Sequence, residues 1–443
     1  MTSHWCELAW LGGERAEWGV LVEVDDARIA SVASGIARPP TDAERLEGLT
    51  LPGLANAHSH AFHRALRGRA QSGAGSFWSW RERMYDLAAR LDPDSYLALA
   101  RGTFGEMALA GVTAVGEFHY LHHGPGGSPY EDPNAMGRAL IEAARRAGIR
   151  ITLLDACYLH GGIGEPTAGA QRRFSDGSAG GWAERVAELD PAPGARVGAA
   201  VHSVRAVEPE SAAFVASFAA ERSLPLHAHV SEQRAENESC LAAYGATPTG
   251  LLERAGAVSQ RFTAVHATHP SDADVELLGA SGTFCCLCPT TERDLADGIG
   301  PAARLAAAGA RLALGSDSHA IIDLFEEARA VELDERLESG VRGRHAAPDL
   351  LRAATEAGHA CLGWPEAGRI APGAPADLVT VGLDDVRLAG TTSANALESV
   401  VFAAGAPDVR RVMVDGRVVV GDGAHVSLDV AAELRSAIEG LEP

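Results

Sequence analysis

Two histidines one residue apart, His58 and His60 in NAHSH, can bring both imidazoles to one ion, because alternate side chains of an extended segment project to the same face. A third imidazole, His229 in HAHVSE, and a carboxylate, Asp317 in GSDSH, close similar apolar runs further along the chain. Three nitrogens and one oxygen suit zinc or a comparable divalent ion such as Fe2+, with an exchangeable water completing the set. That is hydrolytic chemistry. Ser316 and His319, on either side of Asp317, are candidates to support the ligands from behind, whereas His227 is expected to stay outside the cluster.

Residues so far apart in sequence need a frame that gathers them. From residue 50 onward, short apolar runs alternate with Ala-, Arg- and Glu-rich stretches of helical period, the pattern of repeated βα units around a parallel sheet. Eight runs can be counted: LTLPGLANAHSH, VTAVGEFHY, IRITLLDACYLH, RVGAAVHSV, LPLHAHVSE, FTAVHATH, GTFCCLCP and RLALGSDSH. An α/β fold of the (β/α)8, or TIM barrel, type is expected. In nearly every run the ligand-type residues sit at the C-terminal end, where such barrels build their active sites. The flanks instead alternate apolar and polar residues with hairpin-type DG signals. The expected organisation is a catalytic barrel over 51–364 and a small composite β-sandwich domain from 1–50 and 365–443.

The chain has 443 residues and a formal charge of −21, which disfavours nucleic acid and anionic membrane surfaces as partners. All 38 basic residues are Arg. The absence of Lys removes Schiff-base and P-loop chemistry, along with the carboxylated Lys that bridges two metals in some hydrolases, so one ion per chain is expected. No 18-residue apolar run and no leader-like start is present, which places the expectation in the cytoplasm. Seven scattered Cys do not make a disulfide framework, and Cys285, Cys286 and Cys288 are read as buried small hydrophobes.

The segments LPGLANAHSHAFHRAL, HAHVSEQ, VHATH, LCPTTERDLADG and GSDSH, in that order, resemble the amidohydrolase superfamily. Added segments, FWSWRERMY, EFHYLHH and VHSVRAV, make the chain most similar to the formimidoylglutamate deiminases of that superfamily. The resemblance runs over essentially the whole chain, including GRIAPGAPADLVTV, which is similar to the return into the β domain.

What the resemblance implies is zinc-dependent hydrolysis of N-formimidoyl-L-glutamate to N-formyl-L-glutamate and ammonia, in histidine degradation. It implies His58, His60, His229 and Asp317 as zinc ligands, with Asp317 also accepting a proton from the attacking water. Glu232, three residues after His229, would protonate or hydrogen-bond the substrate nitrogen, and His266 would stabilise the hydroxide or shuttle its proton. The carboxylates of a small anionic dicarboxylate substrate would meet His63, Arg81, Tyr120, His202 and Arg205, since Arg is the bidentate donor in a chain without Lys. His63 stands where the resemblance implies Gln, and its imidazole would change both reach and pH dependence. Deaminases of ring amidines and guanidines share the metal and acid/base set, but a flat ring calls for aromatic and amide contacts more than for two arginines. Amide-ring hydrolases of the imidazolonepropionase kind are a further alternative. A non-catalytic barrel would lack ligands, and none is missing. Homodimers are common for this architecture.

Overall fold

A computed structural model describes residues 1–71 and 77–442. Val-, Leu- and Ala-rich runs, six of them buried at every position, form eight parallel strands, the pattern expected when both faces of a sheet are covered. In chain order the strands are β1 (Thr2–Ala9), β2 (Glu17–Asp25), β3 (Arg28–Ala33), β4 (Glu44–Pro52), β5 (Leu54–Ser59), β6 (Val112–His119) and β7 (Arg150–Cys157). A short hairpin, β8 (His160–Gly162) and β9 (Glu165–Pro166), is followed by β10 (Ala195–Val201), β11 (Leu226–Val230), β12 (Phe262–His266), β13 (Phe284–Leu287) and β14 (Arg311–Leu314). The terminal strands are β15 (Leu378–Val381), β16 (Val409–Val414), β17 (Arg417–Gly421) and β18 (Ala424–His425).

Strands β5, β6, β7 and β10 to β14 pair in that order. A parallel bridge between Ser59 and Asp317 joins the last strand's end to the first, closing an α/β barrel. The closure is tight: a Cβ at Gly315 would sit 2.8 Å from the His58 Cβ, so only glycine lets β14 reach β5 there. Eight of eight expected strands are present. The first of them differs in extent, because LTLPGLANAHSH breaks at Gly53: Leu51 pairs with Val379 in the other sheet, and only Leu54–Ser59 belongs to the barrel.

The flanks form one eight-stranded sheet in the order β18-β17-β16-β15-β4-β1-β2-β3, antiparallel except for β1 against β4. Its β16–β17 turn is Asp415-Gly416, with φ of 50° and 71°, as a two-residue I′ hairpin demands. The final helix, Val430–Glu439, leaves this sheet and lies on the barrel helix α2 (Pro93–Leu109, preceded by α1, Phe77–Ala88). Gly102 permits the contact, since a Cβ there would be 2.9 Å from Leu434. Among the described residues no helix is long and apolar enough to cross a membrane, and all seven cysteines are buried and unpaired.

Candidate active site

The ends of β5, β11 and β14 bring His58, His60, His229 and Asp317 together, with one ligand atom from each lying within 4.8 Å of all the others. His229 Nε2 is 3.1 Å from His58 Nε2 and 3.4 Å from His60 Nε2, and Asp317 Oδ1 is 3.3 Å from both His58 Nε2 and His60 Nε2. Backbone carbonyls fix two of the rings: His60 Nδ1 donates to Phe118 O at 2.9 Å and His229 Nδ1 to His202 O at 2.8 Å. Each donation leaves the Nε2 lone pair facing the cluster. Burial, and then the charge of neighbouring imidazoles, depresses His229 to about 3; burial likewise holds His58 and His60 down, so all three stay neutral. Burial opposes the ionisation of Asp317, yet bonding to His58 and the charge of His266 hold it well below the usual carboxylate range. Three neutral nitrogens and an ionised carboxylate, buried and aimed at one point, fit a divalent metal.

Behind this set a buried chain of hydrogen bonds ties the strands. Asn56 Nδ2 donates to Ser316 Oγ at 2.6 Å, which meets His319 Nδ1 at 2.9 Å; His319 Nε2 meets Ser59 Oγ at 3.1 Å, and Ser59 donates to Glu117 at 2.5 Å. Ser316 and His319 thus tie the ends of β5 and β14 together behind the cluster. His227 lies outside the cluster because its Nε2 donates to Cys361 O at 3.0 Å. Several strand-end residues occupy left-handed backbone, His266 at φ 69°, Asp317 at 41° and His319 at 57°, a strain concentrated where the ligands must converge.

Glu232 and His266 flank the ligands. His266 Nε2 is 3.9 Å from both Glu232 Oε1 and Asp317 Oδ2, while its Nδ1 lies 3.4 Å from Glu292 Oε1. Burial alone would depress this imidazole, but Glu292, Glu232 and Asp317 together push it up to about 10. A divalent cation beside it acts in the opposite sense. Glu292 is fixed in turn by the Cys288 backbone N–H at 2.9 Å. Glu232 is paired with Arg205 Nη2 at 2.8 Å; burial pushes its carboxyl up, and the guanidinium overcomes this and holds it down.

A pocket opens over the cluster, lined by all five expected substrate residues, His63, Arg81, Tyr120, His202 and Arg205, together with Glu232 and Asp317. The His63 ring bonds the Tyr120 hydroxyl at 3.0 Å. Burial holds it well below its ordinary pKa. Arg81 lies on α1 and bonds Tyr85 and the Gly161 carbonyl. Arg205 is engaged by Glu232, a contact that spacing alone did not suggest.

Sequence reasoning missed Tyr85, Tyr158, Gln171 and Glu292. All but Tyr158, which ends its strand run without a charge to mark it, lie on helices or loops with no strand-end phase. Cys288 is also nearer the chemistry than a packing residue need be, since its thiol, His266 and Asp317 form a second group at ligand distances. A third group, His119, His122 and Asp155, is already neutralised: Arg185 forks onto Asp155 with two bonds of 2.8 Å, and Trp182 adds a third at 3.0 Å.

Residues 49–419 match the amidohydrolase family. The chain is 42% identical to a formimidoylglutamate deiminase of Pseudomonas aeruginosa, over 89% of this chain and 88% of that protein. It is 31% identical to an 8-oxoguanine deaminase of the same species, over 95% and 93%. The crystal structure of an amidohydrolase from Brucella melitensis superposes over 100% of both chains with a TM-score of 0.92 at 33% identity. This chain belongs to the amidohydrolase family.

Proposed function

We propose that the protein is a zinc-dependent deiminase of N-formimidoyl-L-glutamate, releasing ammonia and N-formyl-L-glutamate as a step of histidine degradation. The observation that carries this reading is one pocket holding a cluster of three neutral histidines and an aspartate, a carboxylate acid/base group and two arginines. The 42% identity to a formimidoylglutamate deiminase supports it.

His58, His60, His229 and Asp317 would hold the ion, which when bound lowers the pKa of a water toward about 7 and makes a nucleophile available at neutral pH. The substrate's formimidoyl group is an amidinium at that pH. Ionised Glu232 accepts a hydrogen bond from its N–H, and the Arg205 pairing keeps Glu232 ionised for this role. Asp317 takes the proton lost by the attacking water, and His266 beside it donates a hydrogen bond to the water oxygen. As water adds to the formimidoyl carbon, the proton held by Asp317 passes to the departing nitrogen, the C–N bond breaks and ammonia leaves, while ionised Glu232 takes the remaining hydroxyl proton as the formyl C=O forms. Arg81, Arg205, Tyr120, His202 and His63 bind the two carboxylates.

Identification of products tests the reaction: ammonia and N-formyl-L-glutamate should appear in equal amounts. Free glutamate with formamide would place the cleavage at the other C–N bond and overturn the assignment. Metal analysis should give about one equivalent per chain, with activity abolished by chelation, because Arg185 already neutralises the group formed by His119, His122 and Asp155. Two tightly held ions, both required, would contradict it.

A further inference from the structure

The loop between β9 and β10 passes over α1 and delivers Gln171 to two phenols of the pocket. Gln171 Nε2 donates to the Tyr85 hydroxyl at 2.9 Å, to the Tyr158 hydroxyl at 3.2 Å and toward Gly161 O at 3.3 Å. Its Oε1 accepts from the Ala168 backbone N–H at 3.0 Å. The alternative amide orientation would set NH2 against an N–H donor and oxygen against a carbonyl, so the orientation is fixed by its neighbours.

Proton counting limits what the phenols can do. A phenol oxygen has two lone pairs and one proton. Tyr85 accepts from Arg81 Nε at 2.5 Å, and the two amide protons of Gln171 are shared among Tyr85, Tyr158 and Gly161 O. The neighbour of Tyr85 is the Tyr158 hydroxyl, which interacts with both Tyr85 and Arg81. The Tyr158 hydroxyl accepts from Gln171, and burial keeps the phenol protonated. Its ring stands edge-on to His202, 4.6 Å between centroids, and it lines the same pocket as Arg81 and Arg205. A carboxylate arriving in that pocket can accept the phenol's proton.

We propose that Tyr158 is a substrate-binding residue whose hydroxyl donates to the carboxylate that Arg81 receives, with Gln171 and Tyr85 as positioning residues that aim it. This rests on the dicarboxylate reading given above. Tyr158→Phe removes one oxygen and little volume. With N-formimidoyl-L-glutamate as substrate, it should raise KM by roughly 10-fold or more, the worth of a hydrogen bond to a charged group, with kcat within about threefold and metal content unchanged. Gln171→Met leaves the phenol in place but frees its direction; it should raise KM by a smaller factor, and add little on top of Tyr158→Phe, since the two act through one hydroxyl.

Amidating the substrate carboxylates one at a time identifies the recipient. For one of the two analogues, the penalty of Tyr158→Phe should fall to within about twofold. Wild-type turnover with an unchanged KM in Tyr158→Phe, or penalties for Gln171→Met that simply multiply onto it, would overturn the role of the phenol alone. No ammonia release by the wild type would overturn the dicarboxylate reading and this inference together.

Discussion

Glu232→Gln is expected to keep about one equivalent of metal per chain while losing roughly 10²-fold or more in kcat, because a positioned proton carrier contributes that order. The side chain touches none of the four ligand atoms; its nearest titratable neighbours are Arg205 at 2.8 Å and His266 at 3.9 Å. The amide preserves length and can still accept from Arg205, so the variant isolates the loss of charge and of proton transfer. The amidinium substrate would lose its anionic partner as well, and KM should rise with the fall in kcat. Metal analysis beside steady-state ammonia release is the measurement. Loss of metal would make Glu232 a ligand, and near-normal turnover would remove it from the mechanism.

The second large effect is expected at Arg205. Arg205→Met keeps much of the volume but leaves a substrate carboxylate without its charged partner in a buried site. It also leaves Glu232 without the cation that holds it ionised. A buried, hydrogen-bonded charge pair costs about 2 to 5 kcal/mol to break, or roughly 30-fold to several thousand-fold in kcat/KM. Because one guanidinium serves both groups, kcat and KM should both worsen. Metal content should not change. Arg205→Lys should recover only part of the loss, since a point charge cannot reproduce a planar fork. With one carboxylate amidated, wild type should discriminate strongly against the analogue and Arg205→Met much less, if that carboxylate is the one Arg205 holds. Turnover of the natural dicarboxylate by Arg205→Met within about threefold of wild type would defeat the assignment.

What was legible in the sequence was whatever strand geometry enforces. His58 and His60 share a face by period two, and His229, His266 and Asp317 end their own strands, so phase along the chain was enough to gather them. The barrel could be counted for the same reason. The break at Gly53 was not visible, because LTLP and LANAHS are equally apolar and only pairing partners divide them between two sheets. Nor was the Arg205–Glu232 pair: it joins loops after two different strands, and an ion pair leaves no periodic trace. Gln171 is the extreme case, an uncharged residue on a short 3-10 helix whose meaning comes entirely from the two phenols and one carbonyl it meets.

Relatives at 31% identity act, by name, on 8-oxoguanine and on 5-methylthioadenosine or S-adenosylhomocysteine, so the metal cluster alone does not set the substrate. In the reading proposed here the arginines do. The most direct measurement is therefore kcat/KM for ammonia release from N-formimidoyl-L-glutamate, N-formimidoyl-L-aspartate, 8-oxoguanine, guanine, cytosine and adenosine with one metal-loaded preparation. The account predicts N-formimidoyl-L-glutamate to stand above every ring substrate by at least the roughly 30-fold that one buried carboxylate–arginine pair provides. A flat profile, or preference for a ring, would contradict it.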